Sequence, residues 1–188
     1  MISENKSLNE NVGIKKVRNS SITEESGYPV GYLTVVKNAG KPTEEIICDR
    51  QHNLLTTEGK AWVHDQLYQL TSGQTGGANY IGLTNDASYT PAASDTRTTW
   101  EAIEEVANGL ERIAGSSVTK SYSAGTSKST LLYLFTCSTS AVAGIRASAL
   151  LNNTRASGTS KLVHTATFTS VDLEVSDTLT VTWEITLS

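Results

Sequence analysis

The segment at residues 179–187 constrains the fold more than any other part of the sequence. Apolar and polar side chains alternate along it without a break, and the apolar ones are Leu179, Val181, Trp183, Ile185 and Leu187. Period-two alternation of this length is typical of a β-strand with one face on a core. Residues 162–168 alternate in the same way, and we predict that they pair with this strand.

Short segments of the same kind recur throughout the second half of the chain, bounded by Gly, Ser, Asn or Asp. They cover residues 118–122, 130–137, 144–151, 161–169 and 179–187. Upstream, residues 28–38 and 44–49 flank turn-forming residues and predict a hairpin. Short strands without helices between them indicate an antiparallel arrangement. The predicted fold is mainly β, an antiparallel β-sandwich of the jelly-roll-like type.

One helix is predicted near residues 57–70. Val63, Leu67 and Leu70 follow one another at helical spacing, and threonines in front of them offer an N-cap. The resulting apolar stripe must cover something, and we expect it to cover an end or an open face of the sandwich.

The first 27 residues differ in composition from the rest of the chain. They are rich in Asn, Ser, Glu and Lys, and their few aliphatic residues show no sustained period. Such a segment does not bury enough apolar surface to pack alone. We therefore predict an extended N-terminal arm at residues 1–27 and a sandwich domain at residues 28–188. A neighbouring subunit or the sandwich itself is expected to hold the arm.

The charge pattern and the apolar pattern limit the kinds of partner that the chain can bind. The chain has 15 basic and 19 acidic residues, a net charge of -4, and no block of cations. A nucleic-acid groove needs clustered cations, so no nucleic-acid partner is predicted. No apolar run approaches the roughly 20 residues that span a bilayer, and the start of the chain lacks a secretory pattern. No membrane partner is predicted either.

The residues that usually carry chemistry form no recognisable motif. His52, His64 and His164 lack the spacing of zinc ligands, and no Gly-x-Ser-x-Gly elbow marks a nucleophile. Cys48 and Cys137 are predicted to be buried free thiols, since their spacing gives no support for a disulfide. The sequence predicts no catalytic residue, no metal and no cofactor, and a protein that is not an enzyme.

The richest carboxylate cluster is Glu101, Glu104, Glu105 and Glu111. Paired carboxylates hydrolyse glycosides, so a hydrolase that acts on a surface polymer through Glu101 and Glu105 is one hypothesis. The alternative is a short helix over residues 100–107 whose charged face lies in solvent. The apolar spacing favours this second interpretation.

Residues 84–99 form a long polar stretch, which predicts a loop of the kind that carries contact surfaces. The candidate contact residues are Tyr89, Thr84, Asn85 and Asp86. Tyr89 is the best candidate for stacking on a sugar, whereas Tyr80 and Trp100 are expected to pack in the core. A carbohydrate-binding module is therefore a further hypothesis.

Four motifs, taken in order, resemble a family. Asn-Leu-Leu-Thr-Thr-Glu-Gly at 53–59 opens the helix, Asn-Tyr-Ile-Gly-Leu-Thr at 79–84 forms a strand, Pro-Ala-Ala-Ser-Asp-Thr follows at 91–96, and the alternating strand occupies 177–188. The order is similar to that in small β-rich virion structural proteins of tailed bacteriophages. The resemblance covers residues 32–188. Thr84-Asn85-Asp86 depart from it, since such proteins often carry Gly-Thr-Gly there.

The resemblance implies a non-enzymatic virion protein assembled in the host cytoplasm. The expected role is an auxiliary or decoration protein on the capsid exterior, which contacts neighbouring subunits through the arm. The alternative is a tail, baseplate or fibre component with a carbohydrate-binding sandwich. The implied partners are major capsid or tail proteins, copies of the chain itself and a host-surface glycan. No cofactor is implied.

Overall fold

A computed structural model describes residues 30–68, 77–123 and 126–187, and it shows a mainly β protein, as the sequence predicts. In chain order the strands are β1 (Val30–Lys37), β2 (Glu45–His52), β3 (Leu54–Leu55), β4 (Tyr80–Thr84), β5 (Ile113–Ala114), β6 (Ser117–Ser123), β7 (Thr126–Thr136), β8 (Val142–Leu151), β9 (Leu162–Leu173) and β10 (Thr178–Leu187). The helices are α1 (Thr57–Tyr68) and α2 (Arg97–Glu101). The predicted arm at residues 1–27 lies outside the described residues.

The strands form two antiparallel sheets that pack face to face. Sheet A has the spatial order β2, β1, β10, β7, β6, and sheet B has the order β3, β9, β8, β4, β5. The hairpin predicted near the start of the sandwich is present, with β1 and β2 as its strands. The predicted sandwich architecture is therefore confirmed.

The predicted pairing of residues 162–168 with the last strand is wrong. β10 pairs with β1 and β7, whereas β9 belongs to sheet B. The two segments alternate alike because both present one face to the same core from opposite sides. His164 of β9 faces Trp183 of β10 across the core, with ring centroids 6.2 Å apart.

The core lies between the sheets, and the period-two pattern of each strand fills it. The buried inward side chains include Leu33, Val35, Phe135, Val181 and Trp183 from sheet A, and Ile81, Leu83, Ile145, Leu150 and Leu173 from sheet B. Burial of one large apolar side chain stabilises a fold by about 1.5–3 kcal/mol. The alternation that the sequence shows is thus the main source of the fold's stability.

The predicted helix is present as α1, and its N-cap is Thr56. The Thr56 hydroxyl oxygen accepts a hydrogen bond from the Gly59 N–H at 2.9 Å, and its O–H donates to the Leu162 carbonyl. A side chain at Gly59 would collide with the backbone of Val163. Glycine therefore allows α1 to begin directly against β9 of sheet B. The last predicted helical residues, 69 and 70, lie outside the described residues.

The second helix differs from the predicted one over residues 100–107. It begins at Arg97, because Thr96 and Thr99 form a reciprocal capping box, and it ends at Glu101. Beyond that point the backbone also bonds to β4. The Ile103 carbonyl accepts the Thr84 hydroxyl, and the Glu105 N–H donates to the Leu83 carbonyl.

Candidate functional site

The four predicted contact residues lie at the end of β4 and in the loop that follows it. Thr84 is 0% exposed, and its hydroxyl donates to the Ile103 carbonyl at 2.6 Å and accepts from the Asp86 N–H at 3.1 Å. The prediction that Thr84 is a surface contact is therefore wrong, because the side chain anchors the loop from inside. Asn85 is exposed, as expected of a contact residue.

Asp86 organises a tight turn. Its Oδ1 atom accepts hydrogen bonds from the N–H and the hydroxyl of Ser88, at 2.8 and 2.7 Å. These bonds lower the pKa of the Asp86 carboxyl. The Arg146 guanidinium donates to the Ala87 carbonyl at 2.7 Å and so holds the turn against β8. The turn is preformed and presents Asn85 to solvent.

Tyr89 is half-buried, and both its ring and its hydroxyl contact other residues of the protein. Its ring packs edge to face on Trp100, with centroids 5.4 Å apart, and its hydroxyl donates to Asp95 Oδ2 at 2.9 Å. Burial raises the pKa of the Tyr89 phenol. A sugar-stacking ring needs a free face, and much of this ring already serves the protein's own packing. Trp100 is buried, which confirms its predicted place in the core.

The carboxylate cluster holds a buried ion pair that the sequence does not predict. The side chains of Arg112 and Glu104 are 1% and 0% exposed. The guanidinium donates to both carboxylate oxygens, each at 2.7 Å, and the Trp100 indole N–H donates to Glu104 Oε1 at 2.9 Å. A bidentate pair of this kind is strong and directional. The prediction of a solvated charged face is wrong for Glu104.

Further polar partners complete the shell around this ion pair. Arg112 also donates to Glu101 Oε1, to the Asn153 carbonyl and to the Ser160 hydroxyl, at 3.2, 3.3 and 3.2 Å. Every nitrogen of the guanidinium therefore has a partner. A buried charge of this kind is tolerated only when it is paired and hydrogen-bonded in this way. The shell joins residues 101–112 to the turn between β8 and β9.

Glu101 is also engaged by arginines. Its Oε2 atom accepts from Arg97 at 2.9 Å, one helical turn away, and its backbone carbonyl accepts from Arg155 at 2.8 Å. The hydrolase hypothesis needs Glu101 and Glu105 as free carboxyls in one cleft. Glu101 instead neutralises two guanidinium groups, so the geometry favours a structural role for it.

Glu105 has a different environment from Glu101. Partial burial raises the pKa of the Glu105 carboxyl, and the nearby negative charge of Glu111 adds to the effect. No hydrogen bond to the Glu105 carboxylate is described, whereas its backbone N–H donates to Leu83. The two carboxylates of the hypothesis therefore lie in different environments.

Small residues on the outer face of sheet B make room for this cluster. Trp100 packs in one buried group with Ala147, Ala149, Leu151 and Leu162. A side chain at Gly82 would collide with Glu104 Oε1 and would approach the Trp100 indole nitrogen to 2.9 Å. Sheet B is therefore shaped to accept residues 85–112, which we call the covering loop.

Glu58 ties the covering loop to α1. Its Oε2 atom accepts from the backbone N–H of Arg97 at 2.8 Å and from that of Leu162 at 3.0 Å. One carboxylate thereby joins α1, the start of α2 and β9. The covering loop and α1 form a single layer over sheet B.

The outer face of sheet A has no such layer among the described residues, and we call it the open face. Its outward side chains include Tyr32, Thr34, Val36, Ile46, Thr130, Leu132, Leu134, Thr180, Thr182 and Glu184. Ile46 is 64% exposed and Leu134 is 48% exposed. These two residues and Val36 lie in one row across the sheet, with Thr180 between Val36 and Leu134.

The centre of the open face carries an ordered polar cluster. Arg50 lies over the Tyr32 ring, 4.6 Å from its centroid, and forms an ion pair with Glu184. Lys128 donates to the other oxygen of Glu184 at 2.6 Å. These cations lower the pKa of the Glu184 carboxyl, Lys128 having the larger effect. The face therefore combines an apolar row with ion-paired charges.

The predicted thiols are free cysteines. Cys137 is buried, as predicted, and Cys48 is half-buried. Burial raises the pKa of the Cys48 thiol to about 11, so the reactive thiolate is scarce at neutral pH. Within residues 30–68, 77–123 and 126–187, no group of three or more His, Cys, Asp or Glu side chains could hold a metal ion. None of the described helices is long and apolar enough to cross a membrane.

No protein-family model matches the sequence, and neither a curated protein nor a solved structure matches it.

Proposed function

We propose that the chain is a non-enzymatic structural protein of a tailed-bacteriophage particle, namely an auxiliary or decoration protein on the capsid exterior. In this role the arm at residues 1–27 contacts neighbouring subunits, and the sandwich supplies the mass on the particle surface. The implied partners are the major capsid protein and further copies of this chain.

The observation that carries the proposal is the contrast between the two outer faces. Residues 85–112 and α1 cover sheet B, whereas the described chain leaves the open face of sheet A uncovered. A sheet face with Ile46 and Leu134 exposed suits a protein that packs in an array. Two of the carboxylates that could carry chemistry, Glu101 and Glu104, are instead engaged by arginines.

The motifs that resemble virion proteins support the proposal. Their residues form hydrogen bonds and close contacts that stabilise the fold. The Asn53 side chain accepts the Gly31 N–H at 2.9 Å, which ties β1 to the start of β3. Thr56 caps α1, Gly59 seats it on β9, and Gly82 leaves room for Glu104. Motifs of this kind specify a scaffold and contribute no catalytic group.

The direct test is the composition of purified particles. Peptide mass spectrometry of tailed-phage particles from the source host should detect this chain as a component present in many copies. Immunogold labelling should then place it on the capsid. Absence of the chain from purified particles would overturn the proposal, and label confined to the tail would favour the alternative role.

The alternative is a tail, baseplate or fibre protein whose sandwich binds a host-surface glycan through Tyr89. This alternative remains a prediction, and the contacts of Tyr89 with Trp100 and Asp95 argue against it. A glycan array with the purified protein and with Tyr89→Ala separates the two roles, because the Ala variant removes the ring that would stack on a sugar. Tyr89→Phe keeps the ring and removes only the hydroxyl, so it is the control. Glycan binding that the Ala variant loses and the Phe variant keeps would support the alternative, and no binding to any glycan would count against it.

A further inference from the structure

The two edges of sheet A differ in how they are protected against pairing with another chain. A sheet edge exposes backbone N–H and C=O groups, and natural proteins usually block it with bulges, charges or proline. β2 forms one edge of sheet A and β6 forms the other.

β2 carries several of these protective features. Its register with β1 shifts twice, between the partners of Leu33 and Val35 and again before Val36. Arg50 has a positive φ of 49°, which bends the strand locally. Glu45, Asp49 and Arg50 are exposed charges on this strand. The edge at β2 is therefore poorly suited to accept a further strand.

β6 has fewer of these features. Its register with β7 runs without a shift from Ser117 to Ser123, over all seven residues of the strand. The segment has no proline, and Lys120 is its one charged residue. In the described chain no strand pairs with its other side. The edge at β6 is regular and open, as in proteins that accept an added strand.

The described chain begins close to this edge. Val30, the first residue of β1, pairs with Thr186, which pairs with Lys128, which pairs with Ser121 of β6. Three strand spacings separate Val30 from Ser121, a distance of about 14 Å. Residues 1–29 precede Val30 and, at about 3.3 Å per residue, can extend far beyond that distance.

The direction of β6 favours the arm of another copy over the chain's own arm. β6 runs toward the end of sheet A at which β1 begins. An arm that led straight into its own β1 would run parallel to β6, whereas the arm of a second copy is free to run antiparallel. Antiparallel pairing is slightly more stable per residue.

We propose that the edge of β6 accepts a strand from the arm of a second copy of this chain. The segment at residues 12–18, Val-Gly-Ile-Lys-Lys-Val-Arg, is the best candidate for the added strand, because it matches β6 in length and contains β-branched residues. The inference rests on the proposed function, since it names the surface that receives the arm.

The test uses the full-length chain and a double variant, Thr119→Lys with Ser121→Lys. Both side chains are exposed on β6, and lysines on an edge strand oppose strand addition. The matched control is Gln51→Lys, an exposed position on β2. Light scattering across a concentration series should show an oligomer for wild type and control, and at least tenfold weaker self-association for the β6 variant.

Hydrogen exchange on the wild-type chain provides the second measurement. The amides of residues 117–123 should gain protection as the oligomer forms, while those of β2 should not. An oligomer that leaves these amides unprotected, or that the β6 variant forms equally well, would overturn the inference. A monomer at all concentrations would overturn it too, and protection in that monomer would assign the edge to the chain's own arm. None of these outcomes changes the particle composition that tests the proposed function.

Discussion

The two outer faces of this sandwich consist of strands of the same kind, but the described chain covers one face and leaves the other uncovered. Sheet B presents Gly82, Ala147 and Ala149 outward, and Trp100 and Glu104 of the covering loop pack against it. Sheet A presents threonines and aliphatic side chains outward, and no other described element packs on them. Small outward residues thus mark a face that the chain covers itself, and larger ones mark a face left for contacts.

The comparison also separates two kinds of ion pair. Arg112 and Glu104 are removed from water under the covering loop, whereas Lys128 and Arg50 meet Glu184 at the surface of sheet A. A buried pair is costly to break because the remaining charge stays desolvated. An exposed pair contributes little, because water replaces either partner.

The largest effect is expected at the buried pair. Arg112→Met leaves the Glu104 carboxylate without its main partner and should lower the free energy of unfolding by about 3–5 kcal/mol. Urea unfolding followed by circular dichroism measures this change. Lys128→Met is the matched control on the open face and should cost about 0–1 kcal/mol. Equal losses in the two variants would show that the buried pair does not hold the covering loop.

The next largest effect is expected at the close approach between β4 and the covering loop. Gly82→Ala places a methyl group against Glu104 Oε1, a side chain that Arg112 holds in place, and should cost about 1–3 kcal/mol. Gly158→Ala is the control, since an added Cβ there meets no atom within 4 Å. The melting temperatures of the two variants should separate clearly. A neutral Gly82→Ala would mean that the covering loop does not press on sheet B.

Acid should act on the two sheets in different pH ranges. His164 of sheet B is buried, and desolvation lowers its pKa from 6.5 to about 3. The folded protein keeps this histidine neutral while the unfolded chain binds a proton below pH 6.5. The free energy of unfolding should therefore fall as the pH drops from 6.5 toward 3, by about 2 kcal/mol at pH 5.

Urea unfolding at pH 7.5 and pH 5 measures this loss, and His164→Gln should remove most of it. On sheet A, the side chain of Asn38 and the charge of Lys37 lower the pKa of Asp177 from 3.8 to about 2. The stability that Asp177 contributes is present above its ordinary pKa and is lost only as the pH falls from about 4 toward 2. A loss between pH 7.5 and 5 that persists in His164→Gln would contradict the assignment.

The smallest effect is expected on the open face itself. Leu134→Thr removes apolar surface of which about half is already in water, so stability should change by no more than about 1 kcal/mol. Ala149→Thr, the same residue introduced on the outer face of sheet B, adds atoms under the covering loop and should be clearly destabilising. Thermal unfolding of both variants checks the difference. Similar losses would mean that the open face is covered in solution.

Much of the fold follows from the sequence because it depends on local patterns. Alternation in β10, turn residues between β1 and β2, and the threonine cap of α1 each act within a few residues. The assignment of β9 to sheet B does not follow, since both sheets present the same alternation to the same core. A pattern of period two specifies a face but not the neighbour of a strand.

The buried ion pair escapes sequence reasoning for a different reason. A carboxylate in a charged segment is usually solvated, and the partner Arg112 is recognised only once the covering loop is folded. One signal was present in the sequence. Gly82 interrupts an otherwise apolar strand, and a glycine at such a position often marks the close approach of another segment. The prediction that Thr84 is a surface contact is wrong for a related reason. A threonine at the end of a strand can point either into the protein or into solvent.

The central place of β10 in sheet A has a consequence for the order of folding. This strand lies between β1 and β7. The centre of sheet A therefore forms only when β1 pairs with β10, and these two strands are about 150 residues apart in the chain. Pairing over such separations is slow to nucleate, because the loop entropy is lost before contacts compensate for it. During synthesis, β1 and β2 must wait as an isolated hairpin until residues 178–187 have left the ribosome.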